Sequence, residues 1–217
     1  MESIHLRRGL IQHYSYSAGF TLVELMVVLA IVATVTAVVL TSQSSFNKTL
    51  ILANTAYDIA LTIRSVQTYG IGSRAINGVV GVGYGLHFQS GMLGAFTVFA
   101  DTSPAASCET PDCKPGDKVY ENGSDAFVQT YTLGNGMTIS NFCAFSGSWS
   151  CASGGLSSLD IVFARPNPDS FMSTNGSHST SFPITASCIT VSSPQGGVKY
   201  ISVASSGQIT PNASSCP

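Results

Sequence analysis

From Phe20 to Leu40 the chain is apolar at every position except Thr21, Glu24, Thr34 and Thr36. A helix rising 1.5 Å per residue makes those 21 residues about as long as a bilayer core is thick. The pattern then changes period. Leu52, Ala56, Ile59, Ile63 and Val66 recur at spacings of four and three, flanked by Leu50, Ala53, Tyr57 and Ala60, while Asn54, Asp58, Thr62 and Ser65 fall on the other side. That is an amphipathic helix with a face to bury. No proline precedes Pro104 and no glycine separates Gly19 from Gly70, so one helix is predicted through both segments until Gly70-Ile71-Gly72-Ser73 stops it. The run Thr41-Ser42-Gln43-Ser44-Ser45 marks the exit from the apolar part.

After Gly72 the period becomes two. Val80, Val82, Tyr84, Leu86 and Phe88 alternate with Gly81, Gly83, Gly85 and His87, a strand with large residues on one face and a glycine face open to another backbone, the long helix being the candidate. Further strands are predicted at 95–100, 126–132, 137–142, 159–164, 188–192 and 198–204. Gly134-Asn135-Gly136 reads as a hairpin turn, and Arg165-Pro166-Asn167-Pro168 ends a strand abruptly. The expected fold class is α+β, with a long N-terminal helix packed on an antiparallel, β-rich head.

Glu24 is the one charge in the apolar run. A carboxylate among hydrocarbon costs several kcal/mol unless it is paired, so it asks for a function. Arg7 and Arg8, with His5 and His13, supply a positive flank upstream, whereas residues 41–63 carry only Lys48 against Asp58. The amino end is therefore expected inside and everything after Leu40 outside. A secretory signal cut after Val35-Thr36-Ala37 would have a shorter, acid-free core. A twin-arginine signal built on Arg7-Arg8 would lie closer to its apolar run, and a plain anchor would need no Glu24.

Gly19-Phe20-Thr21-Leu22-Val23-Glu24, followed by the apolar run, resembles the processing site of type IV prepilins and type II secretion pseudopilins. The resemblance implies a leader of residues 1–19, cleavage by prepilin peptidase after Gly19, methylation of the new amino terminus at Phe20, and Glu24 as the fifth mature residue. It also implies a partner for the acid: the Phe20 amine of a neighbouring subunit in a filament core, a contact that would select register. The leader departs from the usual pattern, being 19 residues long with Ser17-Ala18 where a basic residue is common. The implied domains are the leader 1–19, a transmembrane half-helix 20–40, an amphipathic half 41–70 and an extracytoplasmic head 71–217. Leu52 to Ser65 followed by a β head is similar to the H-type minor pseudopilins and the FimT- and FimU-like minor pilins. Ser193-Pro194-Gln195-Gly196-Gly197 and Ser206-Gly207-Gln208-Ile209 resemble the terminal hairpin of that group.

Composition changes this picture little. Charged residues are 9% of the chain and glycines number 21, which suits a packed β head. Cys108, Cys113, Cys143, Cys151, Cys188 and Cys216 all follow the apolar run, an even set that fits disulfides in an oxidising compartment. Of the possible pairings the sequential one is preferred, Cys108–Cys113, Cys143–Cys151 and Cys188–Cys216. The first two close short loops rich in Pro, Gly or Ser, and the third tethers the tail. Zinc is the alternative, but no Cys-x-x-Cys occurs and the head has only His87 and His178.

The remaining chemistry is thin. Some FimT-like pilins hold DNA through a glycine followed by two arginines. The matching Gly207-Gln208-Ile209-Thr210 has neither arginine, and Arg74, Lys114, Lys118, Arg165 and Lys199 face eight acids in the head. Nucleic acid is therefore not the expected partner. His87 and His178 define no catalytic constellation, so no enzyme and no cofactor are expected. Asp101, Glu109, Asp112 and Asp117 cluster around two cysteines as weak calcium candidates without the spacing of an EF-hand loop. The expected function is a structural subunit, minor pilin or pseudopilin, of a type IV pilus-like or type II secretion filament. Its partners would be other subunits, prepilin peptidase and a membrane assembly platform. The other class is a surface-displayed adhesive or DNA-capturing module on the same kind of anchor.

Overall fold

A computed structural model describes residues 19–72, 74–103, 116–178 and 183–216, with the backbone alone over 41–46. The chain divides into two compact units, Met1–Ser44 and Ser45–Pro217. Helix α1 is formed by Leu22–Ile71, so its apolar part belongs to the first unit and its amphipathic part to the second.

In the first unit, Leu22–Leu40 is the segment long and apolar enough to cross a membrane, and none of it is buried against protein. Its two internal threonines satisfy their hydroxyls within the helix. Thr34 Oγ1 donates to the Ile31 carbonyl at 2.9 Å and Thr36 Oγ1 to that of Val32 at 2.7 Å. Such bonding removes the penalty that a free hydroxyl would meet in hydrocarbon.

The second unit is α+β. Among the described residues, ten strands form two antiparallel sheets: β1 (Gly83–Gln89), β2 (Ala95–Asp101), β3 (Ala126–Thr132), β4 (Thr138–Ser146), β5 (Ser148–Cys151), β6 (Ser158–Phe163), β7 (Ser170–Thr174), β8 (Ala186–Ser192), β9 (Val198–Ala204) and β10 (Ile209–Ala213). Their orders are β3-β2-β1-β6-β7 and β10-β9-β8-β4-β5. Leu52, Ala56, Ile59, Ala60, Ile63 and Val66 of α1 share one core with the inward residues of both sheets, among them Tyr84, Phe88, Phe142, Ile161, Ile189 and Ile201. The predicted apolar stripe is thus the buried one, although Leu50 and Tyr57 stay exposed beside it.

Helix and sheet are matched in length. Gly197, before β9, lies against Leu52, while Gly207, after β9, lies against Gln67. From Leu52 to Gln67 the helix rises about 22 Å, and the seven residues of β9 span about 23 Å. Gln67 Nε2 then donates to the carbonyls of Pro168 and Gly207, both at 3.0 Å. Near its end α1 passes so close to β6 that a Cβ at Gly70 would lie within bonding range of the Phe163 carbonyl oxygen. Tyr69 there packs edge-on to Tyr84 and carries the Arg74 guanidinium over its ring at 4.3 Å.

The antiparallel head is as expected, its strands divided between two sheets. Other expectations need correction. The first strand starts at Gly83, not Val80. Residues Ile76 to Val79 form a tight bridge around Asn77-Gly78, both at positive φ, and Gly81 at φ +80° interrupts extended backbone. The glycine face of β1 does not receive the helix. Tyr84, Leu86 and Phe88 face the shared core, and the space over Gly85 is taken by Phe99 and Val162, which a Cβ there would meet at 2.7 and 2.8 Å. Gly134-Asn135-Gly136 is a tight turn, with the Met137 N–H donating to the Gly134 carbonyl at 3.0 Å, but it carries the chain from one sheet to the other. β5, β7 and β10 were not anticipated.

Candidate functional site

The residues expected to serve processing and assembly sit at the start of α1. Among the described residues Gly19 has no neighbour within 4 Å of where a side chain would begin, and Phe20 is 80% exposed. Thr21 caps the helix: its Oγ1 accepts the Glu24 N–H at 3.2 Å, and its carbonyl accepts the Leu25 N–H at 3.1 Å. Thr21-x-x-Glu24 therefore has the spacing of a capping box. It also sets Glu24 in the first turn, where the helix dipole favours an anion. Among the described residues none hydrogen-bonds or ion-pairs with its carboxylate. The capping role was readable from sequence as Thr followed three residues later by Glu, and was missed because the apolar context drew the reading first.

Two disulfides of the preferred set are present, Cys143–Cys151 and Cys188–Cys216. Cys108 and Cys113 lie outside the described residues, as do the calcium candidates Glu109 and Asp112 and the flank Arg7-Arg8. Cys143 faces Cys151 directly across β4–β5 and faces Cys188 directly across β4–β8, so three cysteines form one row.

The outer face of the first sheet is covered by residues 116–125, which three buried carboxylates hold down. Asp101, fully buried, accepts the N–H groups of Asp117 at 3.1 Å and Lys118 at 2.9 Å, with Lys118 Nζ at 3.5 Å. Burial raises its pKa to about 7, against the pull of Lys118 and its amide. Asp125 accepts from the amides of Thr102, Ser103 and Glu121 at 2.8 to 3.0 Å, and burial, outweighing those bonds, raises its pKa as well. Asp160 takes His87 Nδ1 at 2.5 Å and Ser173 Oγ at 3.2 Å. Tyr120 then packs on His87 at 4.4 Å and on Phe99 at 5.0 Å.

This arrangement is a clamp. Each carboxylate faces N–H donors, the reverse of what a cation requires. Asp117, the other described calcium candidate, accepts the Val119 N–H at 3.0 Å. Among the described residues no group of three acidic, histidine or cysteine side chains could hold a metal. His178 is spent differently, on the Met172 carbonyl at 3.1 Å. Of the basic residues, Arg74 lies on Tyr69 and Lys118 on Asp101, and Lys114 lies outside the described residues. Gly207, at φ +79° with Pro168 and Gln67 against it, serves packing of the terminal hairpin.

Residues 14–40 match the family model described as the prokaryotic N-terminal methylation motif. No curated protein and no solved structure matches the chain. The motif, with the apolar segment of α1 behind it and two disulfides in the head, supports a type IV pilin-like chain of the kind that prepilin peptidase processes, its helix fit to anchor a membrane precursor.

Proposed function

We propose that this chain is a structural subunit, a minor pilin or pseudopilin, of a type IV pilus-like or type II secretion filament. Glu24 carries the reading: it is the sole acid of an apolar segment within the methylation motif, and no described residue partners its carboxylate. As a precursor the chain spans the cytoplasmic membrane with its amino end inside and residues 71–217 outside. Prepilin peptidase cuts after Gly19 and Phe20 is methylated. An assembly platform then moves the helix from lipid into a bundle of like helices, a transfer between two apolar environments with little net cost. There Glu24 meets the Phe20 amine of the next subunit. A buried acid left unpaired is costly, so subunits out of register are disfavoured.

Two measurements test this. The mature amino-terminal peptide is expected to begin at N-methylated Phe20 by mass spectrometry; an intact Met1 or a cut near Ala37 rejects the reading. Glu24→Ala is expected to leave the protein in the membrane but absent from sheared filaments. A variant that stays at the cell surface unaffected would favour the displayed adhesive module.

A further inference from the structure

The short edge hairpin β4–β5 brings the chain's single tryptophan to the surface, where Trp149 remains 39% exposed. It is held there firmly. The Cys143–Cys151 disulfide staples the hairpin, and Phe145 packs against the indole at 5.2 Å. The ring borders a groove of about 370 Å³ whose other walls include Ser150, Gly154, Gly155, Thr174 and Asn175. Gly154 and Gly155 add no side chains to it, and no ionisable group lines it.

Several polar groups of this groove are unspent. Asn175 Oδ1 accepts from both the N–H and the hydroxyl of Ser157 at 2.8 Å, which fixes the amide and leaves its Nδ2 protons to donate elsewhere. Among the described residues, Ser150 Oγ, Thr174 Oγ1 and the Trp149 N–H make no hydrogen bond. A charged ligand would find no counter-charge here. A purely apolar one would bury the Asn175 and Thr174 groups without partners, a cost of about 1–3 kcal/mol for each. What fits both walls is a neutral ring with electropositive C–H groups on one face and hydroxyls around its edge, because the negative π face of indole attracts the former and the amide and hydroxyls pair the latter.

We infer that this groove binds a neutral pyranose unit of a glycan. The inference concerns the head alone and stands whether or not the chain enters a filament. The test uses the full chain in lipid nanodiscs, since glycoside detergents would compete. One arm of a glycan array carries neutral oligosaccharides of surface glycoconjugates, and the other carries bacterial cell-wall and capsular glycans, so the arms separate the two sources. Because the chain has one tryptophan, a fluorescence shift on titrating the bound sugar that disappears in Trp149→Ala reports this groove. Trp149→Ala is expected to weaken array binding by about tenfold or more. Asn175→Asp keeps the oxygen that holds Ser157 and the residue type suited to φ +53° while removing the amide donor, and should do the same. Absence of binding in both arms, or binding undiminished in both variants, overturns the inference.

Discussion

At the scale of single residues, the head is controlled by positions where nothing larger fits and by buried carboxylates, of which Asp101 and Asp125 are made harder to ionise by burial. Gly70→Ala drives a Cβ into the Phe163 carbonyl and should cost about 3 kcal/mol or more in chemical denaturation. Gly134→Ala, with open space around it, should stay within about 0.5 kcal/mol and serves as the control. Asp101 sets a pH dependence. Its folded pKa of about 7 lies above the ordinary 3.8, so between those values the folded chain binds more protons than the unfolded one. The stability it contributes is complete below about 3.8 and is lost as pH rises towards 7. The melting temperature is therefore expected to rise on acidification from pH 7 to 4, and Asp101→Asn should flatten the curve; parallel profiles would reject that assignment. Asp125, raised in the same direction, adds a slope of the same sign. None of this was legible beforehand, because the amides of Asp117, Lys118 and Glu121 reach these carboxylates only once the segment 116–125 has folded over the sheet.

Elements whose signal is local were readable. The α1 stripe from Leu52 to Val66 follows from a 3.6-residue period, and β3 and β9 lie where alternation placed them, at 126–132 and 198–204. The strands that escaped are short or atypical. β5 has four residues, β7 has five including two serines and a threonine, and β10 contains Pro211 and a register shift, which only an edge strand tolerates. Registry between strands is less legible still, yet it decides the cysteine chemistry. Cys188, Cys143 and Cys151 stand side by side, and directly opposed residues in antiparallel strands lie within bridging range. Cys216→Ser should therefore leave a Cys188 thiol beside the Cys143–Cys151 bond. Exchange is expected to produce Cys143–Cys188 with Cys151 released, detectable by peptide mapping after alkylation at mildly alkaline pH, where the thiolate forms. Persistence of Cys143–Cys151 alone would show that the row is sterically closed to exchange.

For the molecule as a whole, the division of labour between its ends follows from where apolar surface is spent. Among the described residues, none of Leu22–Leu40 is buried, whereas every core residue lies at or beyond Leu52. The amino-terminal pattern was legible in sequence because the methylation motif and the apolar run are written in contiguous residues. The groove was not legible because Trp149 and Asn175 are brought together from the edges of two different sheets. If the two units divide the work in this way, removing residues 1–44 should take away the anchor and none of the core. The fragment Ser45–Pro217 is expected to be soluble, to keep the Cys143–Cys151 and Cys188–Cys216 bonds and to melt cooperatively. Its transition should lie close to that of the full chain, as followed by near-ultraviolet circular dichroism. Reduction should then lower the transition, since each bridge restricts the unfolded chain and a native disulfide typically contributes about 2–4 kcal/mol. Ile63→Ala in the same fragment should cost about 2–5 kcal/mol, because that side chain is fully buried where the helix meets both sheets. A fragment that fails to melt cooperatively would mean that the first 44 residues contribute to folding the head, and the assignment of separate tasks to the two units would fall.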